Sequence, residues 1–387
     1  MNQLKKLKMR MRCFAEDGKF LWFFPDSGGV LCKYNLDSDE IVSMYELPCM
    51  GSYSAIIRHK KQLVLVPYSE EEILIFYIDK EVFRKIKLPE SDDVYQSDAK
   101  FFQGFAVGNI VYLVPGRYPY ILKIDLNNYG VAKSENVFRM CKSFFAVSGV
   151  NWAIAASAWD GNNALYFGAG DELWEMGNTC LGKLDLGTLR LSVKKAQCAE
   201  SWIKAMICYQ DSIFFYWGDW KIIVMNRNLE EIKVISDNIL YDYQSAGAMD
   251  VVDTFVQDGK IFFVRNQGLD MHILNLQDEY SVSKKKLIEE SIRYASGTQS
   301  GYFIQSDQEG YFYYINKEGV IKKTFQIKKE ILQDYFRKII ANGSHMVYEN
   351  KIFQLSEWSH SISGESFSIP DIKNCGKEVY QYITKSF

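Results

Sequence analysis

A chain of 387 residues is long for one ordinary hydrophobic core, and its net charge of −3 lacks the basic excess of a nucleic-acid binder. Aromatic residues make up 15%, with 25 Tyr and 25 Phe against 7 Pro, which excludes a disordered chain and suits strands. The N-terminal residues carry positive charge without the apolar run of a secretory signal, and no stretch reaches the roughly 18 uninterrupted apolar residues of a spanning helix.

In chain order, the first predicted hairpin turns at Asp17-Gly18, a strong two-residue turn signal, into an apolar strand from Phe20 to Phe24. Comparable runs follow: Leu63 to Val66, Ile110 to Val114, Leu165 to Phe167, Ile213 to Trp217, Ile261 to Val264 and Tyr302 to Ile304. A strand apolar at successive positions is buried on both faces. After each run, an apolar residue followed by a polar turn former closes a further strand. These markers are Leu36-Asp37, Ile78-Asp79, Ile124-Asp125, Leu184-Asp185, Met225-Asn226, Leu276-Gln277 and Ile315-Asn316, in steps of 42, 46, 60, 41, 51 and 39 residues. Such a period, with about four short strands in each unit, belongs to propeller blades.

The cleanest unit runs from Gly108 to Val137, with strands at Ile110 to Val114, Tyr120 to Ile124 and Gly130 to Val137. In the fourth unit, roughly Asp171 to Gly182 reads as an insertion forming an extended hairpin or rim loop. A partial eighth unit, Met346 to Glu349 and Lys351 to Leu355, lacks an outer half that Leu4 to Met9 could supply. The expected fold is therefore an all-β propeller of four-stranded antiparallel blades over residues 1–370. Eight blades are favoured, with seven the alternative, and the N-terminal strand closes the ring. Apolar stripes predict helices over Lys328 to Ile340 and in a C-terminal tail, 371–387, packed on the propeller.

The units resemble kelch repeats, most closely in the first: Phe20 to Phe24, then Gly28-Gly29, Tyr34, Asp37 and a new strand at Glu40. Later units replace the glycine pair, and the Trp of a kelch blade's last strand is missing. The resemblance implies the propeller superfold, which hosts scaffolds, lectins and enzymes alike.

In a propeller, the connections from outer strand to next inner strand, and from second to third strand, open on one face around the axis. The first set contains Ser52-Tyr53-Ser54, Gln103-Gly104-Phe105, Asn151-Trp152, Ser201-Trp202, Tyr243-Gln244 and Tyr294-Ala295. The second contains Asp26, Glu70, Arg117, Asp171, Trp217-Gly218-Asp219-Trp220, Arg265-Asn266 and Asp307. The candidate ligand-binding residues are accordingly Tyr53, Phe105, Arg117, Asn151, Trp152, Trp202, Trp217, Asp219, Trp220, Tyr243, Arg265 and Tyr294. Trp217 and Trp220, separated by the two residues of a tight tip, form the most pointed pair.

No catalytic residue, metal ligand or cofactor is assigned. The four His fall at unrelated positions, and no phosphate loop, zinc motif or nucleophile elbow occurs. Carboxylates at Asp26, Glu70, Asp171, Asp219 and Asp307 leave one route to hydrolase or lyase chemistry. Eight scattered Cys without a Cys-x-x-Cys pair are expected reduced. The expected protein is a cytoplasmic, monomeric, non-catalytic scaffold for a protein partner; glycan or small-molecule recognition in the central funnel is the alternative.

Overall fold

The structure is a computed structural model that describes residues 9–25, 30–49, 52–91, 99–145, 152–171, 178–196, 203–217, 221–236, 251–265, 270–286, 288, 292–297, 301–306, 311–316, 320–326, 345–348 and 351–354. Seven four-stranded antiparallel sheets follow one another along the chain, each pairing its strands in sequence order. Blade 1 contains β1 (Met9–Asp17), β2 (Phe20–Pro25), β3 (Val30–Asn35) and β4 (Glu40–Glu46). Blade 2 contains β5 (Tyr53–His59), β6 (Gln62–Pro67), β7 (Glu72–Tyr77) and β8 (Val82–Lys87). Blade 3 contains β9 (Phe101–Val107), β10 (Ile110–Pro115), β11 (Leu122–Asp125) and β12 (Val131–Lys133), followed by helix α1 (Val137–Lys142). Blade 4 contains β13 (Trp152–Trp159), β14 (Ala164–Asp171), β15 (Thr179–Asp185) and β16 (Leu191–Lys195). Blade 5 contains β17 (Ile203–Tyr209), β18 (Ser212–Trp217), β19 (Lys221–Asn226) and β20 (Glu231–Ser236). Blade 6 contains β21 (Val251–Gln257), β22 (Lys260–Arg265), β23 (Asp270–Asn275) and β24 (Val282–Lys286). Blade 7 contains β25 (Ile292–Gly297), β26 (Gly301–Ser306), β27 (Tyr311–Asn316) and β28 (Ile321–Gln326).

Second strands are apolar on both faces because each is sandwiched between neighbours. In β2, Leu21 and Phe23 pack with blade 7, while Trp22 and Phe24 pack with blade 2. Analogous clusters join blades 2 and 3, 3 and 4, 4 and 5, 5 and 6, and 6 and 7. Blade 7 meets blade 1 directly: Phe14 of β1 stacks on Phe303 of β26 at 6.1 Å and meets Phe312 of β27 edge-on at 5.7 Å.

That closure corrects the expectation of eight blades. The predicted hairpin exists, as β29 (His345–Tyr348) paired with β30 (Lys351–Gln354), but it forms a separate two-stranded sheet rather than a four-stranded blade. Of the segment Leu4 to Met9 expected to complete that unit, residues 4–8 lie outside the described residues, and Met9 opens β1, which pairs with β2 as the inner strand of blade 1. The third strand of the cleanest unit is also shorter than expected. Asn136 caps α1 by accepting a 2.9 Å hydrogen bond from the Arg139 N–H, so the chain turns helical at Val137. The predicted helices at 328–340 and 371–387 lie outside the described residues.

The turn between third and fourth strands repeats more regularly than the sequence markers did. The third strands end at residues 35, 77, 125, 185, 226, 275 and 316. Asn35, Asp125, Asp185, Asn226, Asn275 and Asn316 each accept a backbone N–H of their own turn through Oδ1, at 2.7–3.1 Å. The markers at Asp37, Asp79 and Gln277 therefore sat two residues late. These turns close with a non-glycine residue at positive φ: Asp39 (59°), Glu81 (55°), Tyr129 (63°), Leu189 (58°), Leu229 (63°) and Tyr280 (66°). This costs each turn some strain, and the preceding blade grips the result. Lys323 of blade 7 holds Asp39 at 2.8 Å, Tyr45 of blade 1 donates to Glu81 at 2.5 Å, and Arg84 of blade 2 lies 3.6 Å from the centre of the Tyr129 ring.

The Asp39 clasp makes a pH prediction. Burial acts to raise its pKa, but the Lys323 ammonium and the Tyr34 hydroxyl together hold the carboxyl below its ordinary 3.8. A depressed folded-state pKa contributes stability above the unfolded value that is lost as pH falls through the folded one. Asp39→Asn should thus lower Tm at pH 7, and the gap to the parent should close below pH ~3. A gap that is constant with pH contradicts the clasp.

Candidate functional site

Each inner strand reaches the loop-bearing face through an irregularity. In β5, Tyr53 pairs with Pro67 and Ala55 with Val66, leaving Ser54 extra. The same step leaves Phe102 extra in β9, Lys204 in β17, Val252 in β21 and Arg293 in β25, and two positions further along, Ala155 in β13. In β1 the step is wider, between Met9 and Phe14. A bulge bends the strand and re-aims a side chain. The ring thus carries a collar of bulges near one end of its inner strands.

Where the described residues are most continuous, across blades 2 to 4, backbone hydrogen bonds run from blade to blade just outside this collar. Ser52 O accepts from Tyr68 N at 2.8 Å, Tyr68 O from Lys100 N at 2.8 Å, Lys100 O from Gly116 N at 2.8 Å, and Gly116 O from Ile154 N at 3.0 Å. Lys100 anchors this belt. Its side chain is 0% exposed, and its ammonium donates to Ser69 O at 2.8 Å, Glu70 O at 3.1 Å and Glu71 Oε1 at 2.6 Å. A buried lysine is tolerated where its donors are satisfied in this way. Lys100→Met should cost about 1.5–3 kcal/mol, the usual scale for hydrogen bonds to a charged group, measured by urea denaturation. A loss below ~0.5 kcal/mol would mean that the belt does not depend on it.

Above the belt sit half-buried Tyr68, Phe102 and Arg117. The Phe102 ring lies 6.3 Å from that of Tyr68 and against Gly116, where an added Cβ would fall 2.7 Å from the ring and 2.4 Å from Ala99 O. Glycine is required there by close approach. Below, Tyr53 is 1% exposed and its hydroxyl is 2.7 Å from Cys49 Sγ. Burial pushes the Cys49 thiol up to about 12, with the Tyr53 hydrogen bond only partly opposing it, and burial raises Tyr53 further. Neither group is poised as a nucleophile or base at neutral pH.

The sequence-derived candidates separate on the structure. Arg117 lies on this rim, and Tyr53 lies beneath it. Trp152 opens β13 but is 4% exposed and packs on Phe145. Trp217 ends β18 and is 1% exposed in the core between blades 4 and 5. Phe105 lies in the strand rather than in a loop, stacked between Tyr112 at 5.4 Å and Trp159 at 5.3 Å. Tyr294 and Arg265 lie in β25 and β22, and only their backbone is described. Asn151, Trp202, Asp219, Trp220 and Tyr243 lie outside the described residues, as do all the proposed carboxylates except Glu70 and the backbone of Asp171. The first loop set placed Phe105 where the bulge puts Phe102; the displacement was visible only as a break in pairing register.

Elsewhere, two histidine side chains have partners within the blades. His59 contacts Asn109 Oδ1 at 3.1 Å, and His272 is 0% exposed with Nδ1 3.2 Å from the Tyr216 hydroxyl. Among the described residues no group of three His, Cys, Asp or Glu is arranged to hold a metal ion, and no helix is long and apolar enough to cross a membrane.

The chain matches no family model and no curated protein. Its likeness is to solved structures. A catalytically inactive virginiamycin B lyase from Staphylococcus aureus, solved with quinupristin, is 11% identical over 79% of this chain and 94% of its own, with a TM-score of 0.56. The β-propeller domain of Cps50 (Swd1) from Myceliophteria thermophila is 9% identical over 82% of this chain and 96% of its own, at 0.52. A computationally designed protein is 10% identical over 83% and 97%, at 0.50. At such identities the shared property is the fold.

Proposed function

We propose that this propeller is a non-catalytic scaffold that binds a protein partner on its loop-bearing face, with the rim of blades 2 and 3 at the centre of the contact. The observation that carries the reading is the belt from Ser52 to Ile154: it satisfies the backbone internally and holds Tyr68, Phe102 and Arg117 on a rigid base. Aromatic and arginine side chains on a preorganised support are the composition of interface hot spots. The Cps50 propeller domain and the lyase share the architecture, so the architecture itself favours neither binding nor catalysis.

The test is capture from the protein's own cells with the untagged native chain, followed by Phe102→Ala with Arg117→Glu. The expected result is a stoichiometric protein partner that the double variant loses at unchanged Tm. A bound small molecule without a protein, or a partner retained by the variant, overturns the proposal.

A further inference from the structure

The junction between blades 4 and 5 lacks an apolar side chain that other junctions have. In blades 1, 2, 5 and 7, the third-strand residues Leu31, Ile73, Ile222 and Phe312 occupy one shared register position and pair with Tyr45, Ile86, Ile235 and Phe325 of the outer strand. Those four outer-strand residues belong to the clusters that join their blade to the next. In blade 4 the equivalent residue, opposite Leu181, is Lys194; blade 6 has a lysine there too, Lys285 opposite Met271. The Lys194 ammonium reaches the turn of blade 5, where it donates to Leu229 O and, at 3.5 Å, to Asn228 O. Beside it lies a cleft of about 350 Å³ whose lining includes the buried Leu181, Ala196, Met225 and Leu229.

Charge around this cleft is already committed, with one exception. Lys194 serves the two carbonyls, Lys195 sets its ammonium over the Phe145 ring at 4.9 Å, and Glu230 accepts from Asn226 Nδ2 at 2.7 Å. Glu231, which also lines the cleft, is exposed and takes part in no hydrogen bond or ion pair among the described residues. Val234, 41% exposed, shares the Glu231 face of β20: their partners Ile223 and Met225 both belong to the core between blades 4 and 5. An apolar floor, an exposed apolar flank and one uncommitted carboxylate suit an apolar anchor with a cation beside it. We propose that the cleft between blades 4 and 5 is a docking pocket for a linear segment of a partner protein. One Phe, Tyr or Ile of that segment takes the place that Tyr45, Ile86, Ile235 and Phe325 hold at other junctions. An adjacent Lys or Arg meets Glu231. The pocket lies between outer strands and is independent of the loop-bearing rim.

The full chain is titrated by fluorescence anisotropy with a labelled, amidated peptide of sequence Gly-Ser-Lys-Phe-Lys-Ser-Gly. Counterparts carry Ala for Phe, or Glu for both Lys. The expected result is binding of the parent peptide, with the alanine peptide about thirtyfold weaker, the scale of losing an anchor that fills a pocket. Glu231→Lys should weaken the parent peptide about fivefold, the scale of one exposed ion pair, and leave Tm unchanged. Lys194→Phe supplies the apolar side chain that other junctions carry, so it should abolish binding without lowering Tm; should that variant fail to fold, the exposed Glu231→Lys still decides. No binding of the parent peptide overturns the proposal, as does binding that either folded variant leaves intact. Equal binding of the alanine peptide overturns the anchor, since that leaves charge alone, and equal binding of the Glu peptide overturns the role of Glu231. Self-association blocked by Lys194→Phe, with the peptide unbound, would make a second copy the occupant. Binding of N-acetylphenylalaninamide as tightly as the peptide would make the cleft a small-molecule site. Either of these rejects a partner segment.

Discussion

Trp217→Ala should destabilise the protein by about 3–5 kcal/mol, the range for removing a fully buried aromatic side chain. The indole is 1% exposed and closes β18 within the cluster formed by Tyr166, Ile203, Phe215 and Ile223 of blades 4 and 5. Its Nε1–H finds no acceptor among the described residues. That unmet donor separates two variants. Trp217→Phe keeps an aromatic ring in the cluster and removes the desolvated N–H, so it should recover most of the loss. Denaturant unfolding of the two variants measures this. A cost under ~0.5 kcal/mol for the alanine variant would match a surface side chain and contradict the packing.

Phe14→Ala should cost a similar ~3–5 kcal/mol, for a reason specific to a closed ring. Phe14 is 6% exposed and touches rings from both ends of the chain: Phe23 at 5.8 Å in its own blade, and Phe303 and Phe312 in blade 7. Pairing β1 with β2 does not close the ring; side-chain contacts between blades 7 and 1 do, and Phe14 makes two of them. Combined with Phe303→Ala, it should show a coupling of about 0.5–1.5 kcal/mol, as aromatic pairs in contact do. Strict additivity would contradict the contact between the two rings.

The local parts of this fold were legible because they rest on local physics. The Asp17-Gly18 turn follows from neighbours within one blade, and the two-faced apolar strands and the period of the repeat are written into each unit's own residues, although the burial that the strands answer to comes from the adjoining blades. Blade number did not, because it depends on contact between residues 14 and 303, and the hairpin at 345–354 carries the same local pattern as a blade. Asn35 and Asp37 flank the same turn, and only the hydrogen bond to Asn35 Oδ1 tells which of them defines the repeat. Helix α1 is six residues long, too short for an apolar period to emerge, although its capping Asn136 was a usable signal. At the candidate site, Arg117 was found from loop position, whereas Phe102 depends on a one-residue register shift in β9. Trp217 looked exposed because it borders a loop tip, yet it is still a strand residue with its indole between blades.

Zero-length carbodiimide cross-linking of the native protein, read by peptide mass spectrometry, tests the seven-bladed ring most directly. Lys323 Nζ lies 2.8 Å from Asp39 Oδ1 across the junction of blades 7 and 1. The expected result is an amide link between the peptides containing residues 39 and 323, lost in Asp39→Asn. An interposed eighth blade would hold those groups apart. Absence of that link, with Lys323 joined instead to a carboxylate beyond residue 344, would contradict the closure and with it the placement of every blade.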